Sequence, residues 1–224
     1  MSYLIVMLLP MALGAFAQWK IKSAYAKTSQ IPASSGLTGA EVAQRILDES
    51  GINGVGIEES HGHLSDHYDP KAKMLRLSKD VYHGSSLASL GIAAHEVGHA
   101  IQDAKKYSPL VLRNGIVPLA NFGSKAGLGI LMVGASMGST KIAVVGLVAF
   151  SLIVLFQLIN LPVEFDASSR AKKILLNSGF ISNSEHKQVS GVLSAAAMTY
   201  VAGTVSAIAT LMYYVMRSGV LNRR

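Results

Sequence analysis

Three stretches of the chain contain no Asp, Glu, Lys or Arg: residues 1–19, 142–163 and 188–216, which are 19, 22 and 29 residues long. A helix needs about 20 apolar residues to cross the hydrocarbon core of a bilayer, so each stretch is long enough to span. A fourth apolar stretch, 109–140, is interrupted by Arg113 and Lys125. Its uninterrupted part, 126–140, is too short on its own. A helix is therefore expected to begin before Lys125, with that side chain snorkelling or facing protein. The pattern predicts a multi-span membrane protein with four spans, three being the fallback. Between the first two spans the pattern changes to that of a soluble region. Thr38-x-x-Glu41 is a capping box, Val42, Ile46 and Leu47 recur at helical spacing, and Gly51 closes that helix. Residues 54–58 and 73–78 alternate apolar and polar, as half-buried strands do, and Asp69-Pro70-Lys71-Ala72 is expected to turn the chain between extended segments. A second helix is expected over 86–105, with Leu87, Leu90, Ala94, Val97 and Ile101 on one face.

Composition agrees with a bilayer. Half of the 224 residues are hydrophobic and 15% are charged, and the mean hydropathy is +0.37. Ala15-Phe16-Ala17 has the form of a signal cleavage site, but no basic residue precedes the first apolar run, so an uncleaved anchor is expected. With four spans, the segments 20–113 and 164–187 share one side of the membrane and carry most of the Lys and Arg. Cytoplasmic loops are enriched in these residues, so that side is expected to face the cytoplasm of a bacterial cell membrane. Anionic lipid then accounts for the net charge of +7 and the pI near 9.6. No nucleic acid is expected as a partner, because no basic and aromatic interleaving or helix-turn-helix pattern accompanies the charge. The chain has no cysteine, which excludes disulfides, thiolate metal ligands and a cysteine nucleophile.

The chemistry is concentrated in His95-Glu96-Val97-Gly98-His99. In a helix, positions i and i+4 share a face, roughly 5–6 Å apart at Cβ, so both imidazoles can converge on one Zn²⁺. Glu96 lies about 100° round the helix and can reach a metal-bound water without being a ligand. This is the H-E-x-x-H arrangement of zinc metallopeptidases. A catalytic zinc needs a third protein ligand and an open position. Without cysteine, that ligand is His, Glu or Asp. The strongest candidate is Glu164, because a carboxylate at the end of a long apolar helix is costly unless paired or metal-bound. Asp166 is positioned to orient a histidine or to pair with Arg170. His61, His63 and His67, with Asp66 and Asp69, form a second cluster, read as a polar hairpin loop near the rim of the site rather than a second metal site. His83 and His186 are read as surface or capping residues.

Three segments carry a family resemblance: Ala93-Ala94-His95-Glu96-Val97-Gly98-His99-Ala100-Ile101-Gln102, His63-Leu64-Ser65-Asp66-His67-Tyr68-Asp69-Pro70, and Leu161-Pro162-Val163-Glu164-Phe165-Asp166-Ala167-Ser168. They resemble the YugP-type neutral zinc metallopeptidases of bacterial membranes, a family similar in outline to HtpX and the CAAX prenyl endopeptidase. The resemblance runs from the first span nearly to the C-terminus. It implies a mainly helical membrane protein with a small α+β, gluzincin-like catalytic domain and one zinc per chain. By the same resemblance His95, His99 and Glu164 are ligands and Glu96 is the general base. One position departs: where the glutamate-zincin pattern has an Asp four residues after the third ligand, this chain has Ser168.

The organisation expected is an anchor at 1–19, a catalytic region at 20–108, a transmembrane hairpin at 109–163, a segment bearing the third ligand at 164–187, and a final span at 188–217. The activity expected is hydrolysis of peptide bonds in peptides or membrane proteins next to the lipid bilayer, through a zinc-bound water activated by Glu96. His67, Tyr68, Arg170, His186 and Tyr200 are all eligible by chemistry to donate to the oxyanion. The strand at 74–78 is expected to pair with an extended peptide substrate. Two other readings are a non-catalytic zinc-stabilised scaffold or chaperone-like partner, and a site-2-type intramembrane protease. The first does not need Glu96. The second needs the motif inside a span and a later Asp-Gly motif, and neither is present. Gly127, Gly129, Gly134, Ala135, Gly138, Gly191, Ala195, Ala202 and Gly203 suit close packing between spans or a homo-oligomer interface.

Overall fold

A computed structural model describes residues 3–62 and 65–218; the side chains of residues 3–7 and 9 fall outside the description. The described chain is mainly helical, with one small sheet. It forms two compact units. One comprises residues 18–110 and 163–198. The other comprises 1–17, 111–162 and 199–224.

In the first unit, helix α2 (Gly39–Glu49) begins at the predicted capping box: Glu41 N–H donates to Thr38 Oγ1, and Thr38 N–H donates to Glu41 Oε2. Gly51 follows with φ +67°, the left-handed conformation that a helix C-terminus favours and that glycine adopts without a Cβ penalty. The sheet has β1 (Gly56–Ser60), β2 (His67–Asp69) and β3 (Met74–Ser78) in the order β1-β3-β2. The β1–β3 pair is parallel and the β2–β3 pair antiparallel. Arg76 ties the three strands together, donating from Nε to Glu58 at 2.6 Å and from Nη1 to Asp69 at 2.8 Å. β3 is therefore the central strand, and substrate pairing at residues 74–78, expected from the sequence, is closed off on both sides. The edges of the sheet are β1 and β2.

After the short α3 (Lys79–Tyr82), Ser86 caps helix α4 (Leu87–Ala104) by accepting from Ser89 N–H. The strap before α2 lies against this start: Leu87 N–H donates to Ile31 O and Ala33 N–H to Ser85 O. The core of the unit collects Val42, Ile46 and Leu47 of α2, Leu75 and Leu77 of β3, Leu87, Leu90 and Val97 of α4, and Ala171 and Leu175 further along the chain.

Helix α5 (Ser108–Phe122) passes through one π turn (Gly123–Gly127) into α6 (Leu128–Ser136), and α7 (Thr140–Asn177) and α8 (Asn183–Arg217) follow. Ser108–Ser136, Thr140–Asn177 and Asn183–Arg217 are the three helices, among the described residues, long and apolar enough to cross a membrane. The expected helix start before Lys125 is thus at Ser108. Helix α1 (Tyr3–Thr28) covers the predicted anchor but is not one of those three, and part of that expectation lies outside the described side chains. α4 is not among the three either. In the second unit, α6 and α7 meet through glycine: a Cβ on Gly134 would lie 2.4 Å from Ala143 N, and one on Gly146 2.4 Å from Leu131 N. Gly129, Gly138 and Gly191 have nothing within 4 Å of that position.

Candidate metal centre

A glycine in the middle of the motif sets the geometry. A Cβ on Gly98 would lie 2.9 Å from Ala167 O and 3.1 Å from Ala167 Cα. α4 and α7 therefore cross with their backbones almost in contact, which only residue 98 without a side chain allows. Ala167 is followed by Ser168 and preceded by three residues to Glu164, so the crossing brings both side chains against the histidines. His95 and His99, one turn apart, present rings 4.8 Å apart between centroids and nearly perpendicular, at 83°. Glu164 Oε2 lies 3.3 Å from His95 Nε2 and 3.7 Å from His99 Nε2.

These three residues are the one group of three or more potential ligands, among the described residues, whose donor atoms all lie within 4.8 Å of each other. Their fit to a metal rests on two observations. Glu164 is 4% exposed, and its Oε2 has no hydrogen-bond partner despite facing two imidazole nitrogens. Ligands about 2.0–2.1 Å from a tetrahedral ion lie about 3.3 Å apart, close to the separations seen. The second observation is the state of the histidines. Gln102, fully buried, donates from Nε2 to Val163 O and to Asp166 Oδ2, both at 2.8 Å. Its Oε1 is thereby left as an acceptor, 3.0 Å from His99 Nδ1. The proton of neutral His99 then sits on Nδ1, and Nε2 turns a lone pair toward Glu164. A buried carboxylate facing that lone pair is repulsive unless a proton or a metal ion lies between them.

Ser168 fills the position where an Asp was expected, and its Oγ lies 3.2 Å from His95 Nδ1. Asp166 reaches the other histidine indirectly, through Gln102, and is itself held by Arg170 Nε at 2.5 Å. Arg170 also stacks its guanidinium 5.9 Å from the Tyr107 ring centroid. Gln102 was missed from sequence as a functional residue. Its signal was a lone carboxamide three residues after His99, on the helix face that carries both histidines.

Glu96 is buried on α4 and accepts from Tyr68 N–H at 3.1 Å through Oε2. β2 thus orients the glutamate by its backbone. The Tyr68 hydroxyl is already engaged: it donates to Asp103 Oδ2 at 2.7 Å, and Lys73 Nζ joins the same oxygen. Burial first, and then the Asp103 carboxylate, hold the Tyr68 phenol well above its ordinary pKa. His67 is exposed on the edge strand, with Nδ1 2.8 Å from Ser65 O. His63 lies outside the described residues, and no second cluster of metal-ligand type appears among those described. His83 ends α3, exposed and 2.8 Å from Glu59.

A family model described as "Putative neutral zinc metallopeptidase" matches residues 3–219. The chain is 46% identical over 216 residues to "Putative membrane protease YugP" of Bacillus subtilis (strain 168), with 96% of each sequence covered. No solved structure matches.

Proposed function

The chain belongs to the family of neutral zinc metallopeptidases, and from that premise we propose that it is a membrane-embedded, zinc-dependent endopeptidase whose catalytic region faces the cytoplasm. The observation that carries this reading is the convergence of His95, His99 and Glu164 beside a separately oriented Glu96. A structural zinc site has no use for such a glutamate. His95 Nε2, His99 Nε2 and Glu164 Oε2 would hold one zinc per chain, in a gluzincin-like arrangement around the H-E-x-x-H helix. When bound, the metal supplies a Lewis acid for the scissile carbonyl and acidifies the attacking water.

The remaining work falls to the protein. Tyr68 N–H holds one oxygen of Glu96, which leaves the other to take the proton of the attacking water and return it to the departing amine. Ser168 and Gln102 fix the two imidazoles from behind, each through Nδ1. An extended peptide would lie along the outer edge of β2, the strand that holds Glu96. An intramembrane mechanism is disfavoured, because α4 is not one of the helices suited to cross a bilayer. Glu164 lies on one of the three helices long and apolar enough to cross a membrane, which favours membrane proteins or peptides near the bilayer as substrates.

The test is zinc content by mass spectrometry on detergent-purified protein, together with peptide hydrolysis. Wild type should carry about one zinc per chain. Glu164→Ala should lose it, and Glu96→Gln should keep it while losing hydrolysis. Full zinc retention in Glu164→Ala would remove that ligand from the site. Undiminished hydrolysis in Glu96→Gln would remove the base.

A further inference from the structure

The helix that runs from Ser108 to Ser136 touches α7 through a narrow stripe of small residues. A Cβ on Gly123 would lie 2.4 Å from Ala149 O, and one on Gly127 2.8 Å from Phe150 N. These backbone contacts fix the rotation of the helix about its axis. Lys125 stands two residues from each glycine, close to half a turn round, so it points away from α7. It is exposed, and so is Asn121, one turn before it. Asn114, two turns earlier, falls on the same stripe, with its Oδ1 accepting from Arg113. Pro118 lies between them and supplies no N–H to the Asn114 carbonyl. Four residues after Lys125, Gly129 has open space at its Cβ position.

The outward face of an apolar span thus carries an ammonium and two carboxamides. Among the described residues neither the Lys125 ammonium nor the Asn121 carboxamide meets a hydrogen-bonding or ionic partner; Asn121 takes part only through its backbone carbonyl, which accepts from Ser124 Oγ. Ionisable and amide groups at membrane depth pair with one another or face protein. Snorkelling does not resolve this stripe. Lys125 is 11 residues from Ser136, about 16 Å of helix, and Asn121 lies deeper with a much shorter side chain. A second copy of the chain does not resolve it either. Residues 108–136 and the stretches 1–19, 142–163 and 188–216 contain no Asp or Glu, so no apolar segment of a second copy brings a carboxylate to Lys125.

We propose that the stripe of Asn114, Asn121 and Lys125 docks a transmembrane helix of another membrane protein, one that presents an Asp or Glu to Lys125 and a hydrogen-bonding side chain to Asn121. Gly129 leaves room for that helix to approach closely.

The absence of cysteine allows a single label through Lys141→Cys in the full-length protein. Association with a synthetic Leu/Ala transmembrane peptide is read by energy transfer in phosphatidylcholine vesicles. The peptide carries a central Asp, Lys or Leu. The Asp peptide should bind about tenfold tighter than the Leu peptide. Lys125→Met should abolish the difference, and Lys125→Glu should shift the preference to the Lys peptide, which also shows that the helix face is intact. Equal binding of Asp and Leu peptides, or an Asp preference that survives both substitutions, would overturn the proposal. So would loss of the preference on adding phosphatidylglycerol, because the lysine would then be paired with lipid phosphate. None of these readouts depends on peptide hydrolysis.

Discussion

Two groups of polar side chains set in apolar surroundings are treated in opposite ways in this molecule. At the crossing of α4 and α7, Glu96, Gln102, Asp166 and Ser168 each find a partner within the chain, and the buried Glu164 faces two imidazoles. On the outer face of the helix from Ser108 to Ser136, the side chains of Asn121 and Lys125 find none among the described residues. A polar group removed from water is costly unless paired, so the two places place different demands on what is missing. At the crossing three ligand atoms converge on a point that one metal ion could fill. On the outer face a complementary surface is wanting among the described residues, which is what the proposed partner helix would supply.

Breaking the first half of the comparison should give the largest effects. Glu96→Gln should lower turnover by about 10²–10⁴-fold with zinc content unchanged, read by steady-state hydrolysis and metal analysis together. Gly98→Val comes next, because the atoms it meets are the backbone of Ala167 and no rotamer change relieves the contact. A loss of about 1–3 kcal/mol is expected, seen as a lower melting temperature in detergent with weakened zinc retention. A melting temperature equal to wild type would show that α4 and α7 are not pressed together there.

Gln102→Leu sharpens the comparison by removing one polar partner while keeping the volume apolar. It strips His99 Nδ1 of its acceptor and Asp166 of a donor. Zinc affinity should fall about 10–100-fold in chelator competition, with the protein still folded. Ser168→Ala tests the other histidine and should weaken zinc less, since a single longer contact at 3.2 Å is lost.

The smallest effect concerns the sheet that orients Glu96. Arg76, and after it the backbone N–H groups of Ala72 and Lys71, hold the Asp69 carboxyl at about 2, below its ordinary value of about 3.9. A depressed carboxylate pKa adds stability above the unfolded value, and that stability fades as pH falls through about 2. The β2–β3 hairpin should therefore lose amide-exchange protection, corrected for intrinsic rate, between about pH 4 and pH 2. Asp69→Asn should remove that dependence.

Much of this was legible before any coordinates. The capping box at Thr38, the stop at Gly51, the bounds of α4 and the strand at 73–78 each follow from a few adjacent residues, and the structure has them within one or two positions. The span expected to begin before Lys125 does so because length alone demanded it. β2 was not legible as a strand: three residues with His67 and Asp69 flanking one tyrosine carry too little alternation. Nor was the position of β3 at the centre of the sheet, because strand order depends on pairings between segments that are not neighbours in sequence. For the same reason the expected substrate strand moved from β3 to the edge.

The sequence by itself determined the ligand types, their spacing on one helix face and the apolar segments, because each depends on residue chemistry and on the 3.6-residue period within one element. Only the tertiary structure decided that Gln102 links Asp166 to His99, that Ser168 backs His95, and that Tyr68 serves Glu96 through its backbone. Those contacts join residues 28 to 73 positions apart. The first two arise where Gly98 and Ala167 let two backbones meet, and the third where β2 reaches α4, distances that no local pattern encodes.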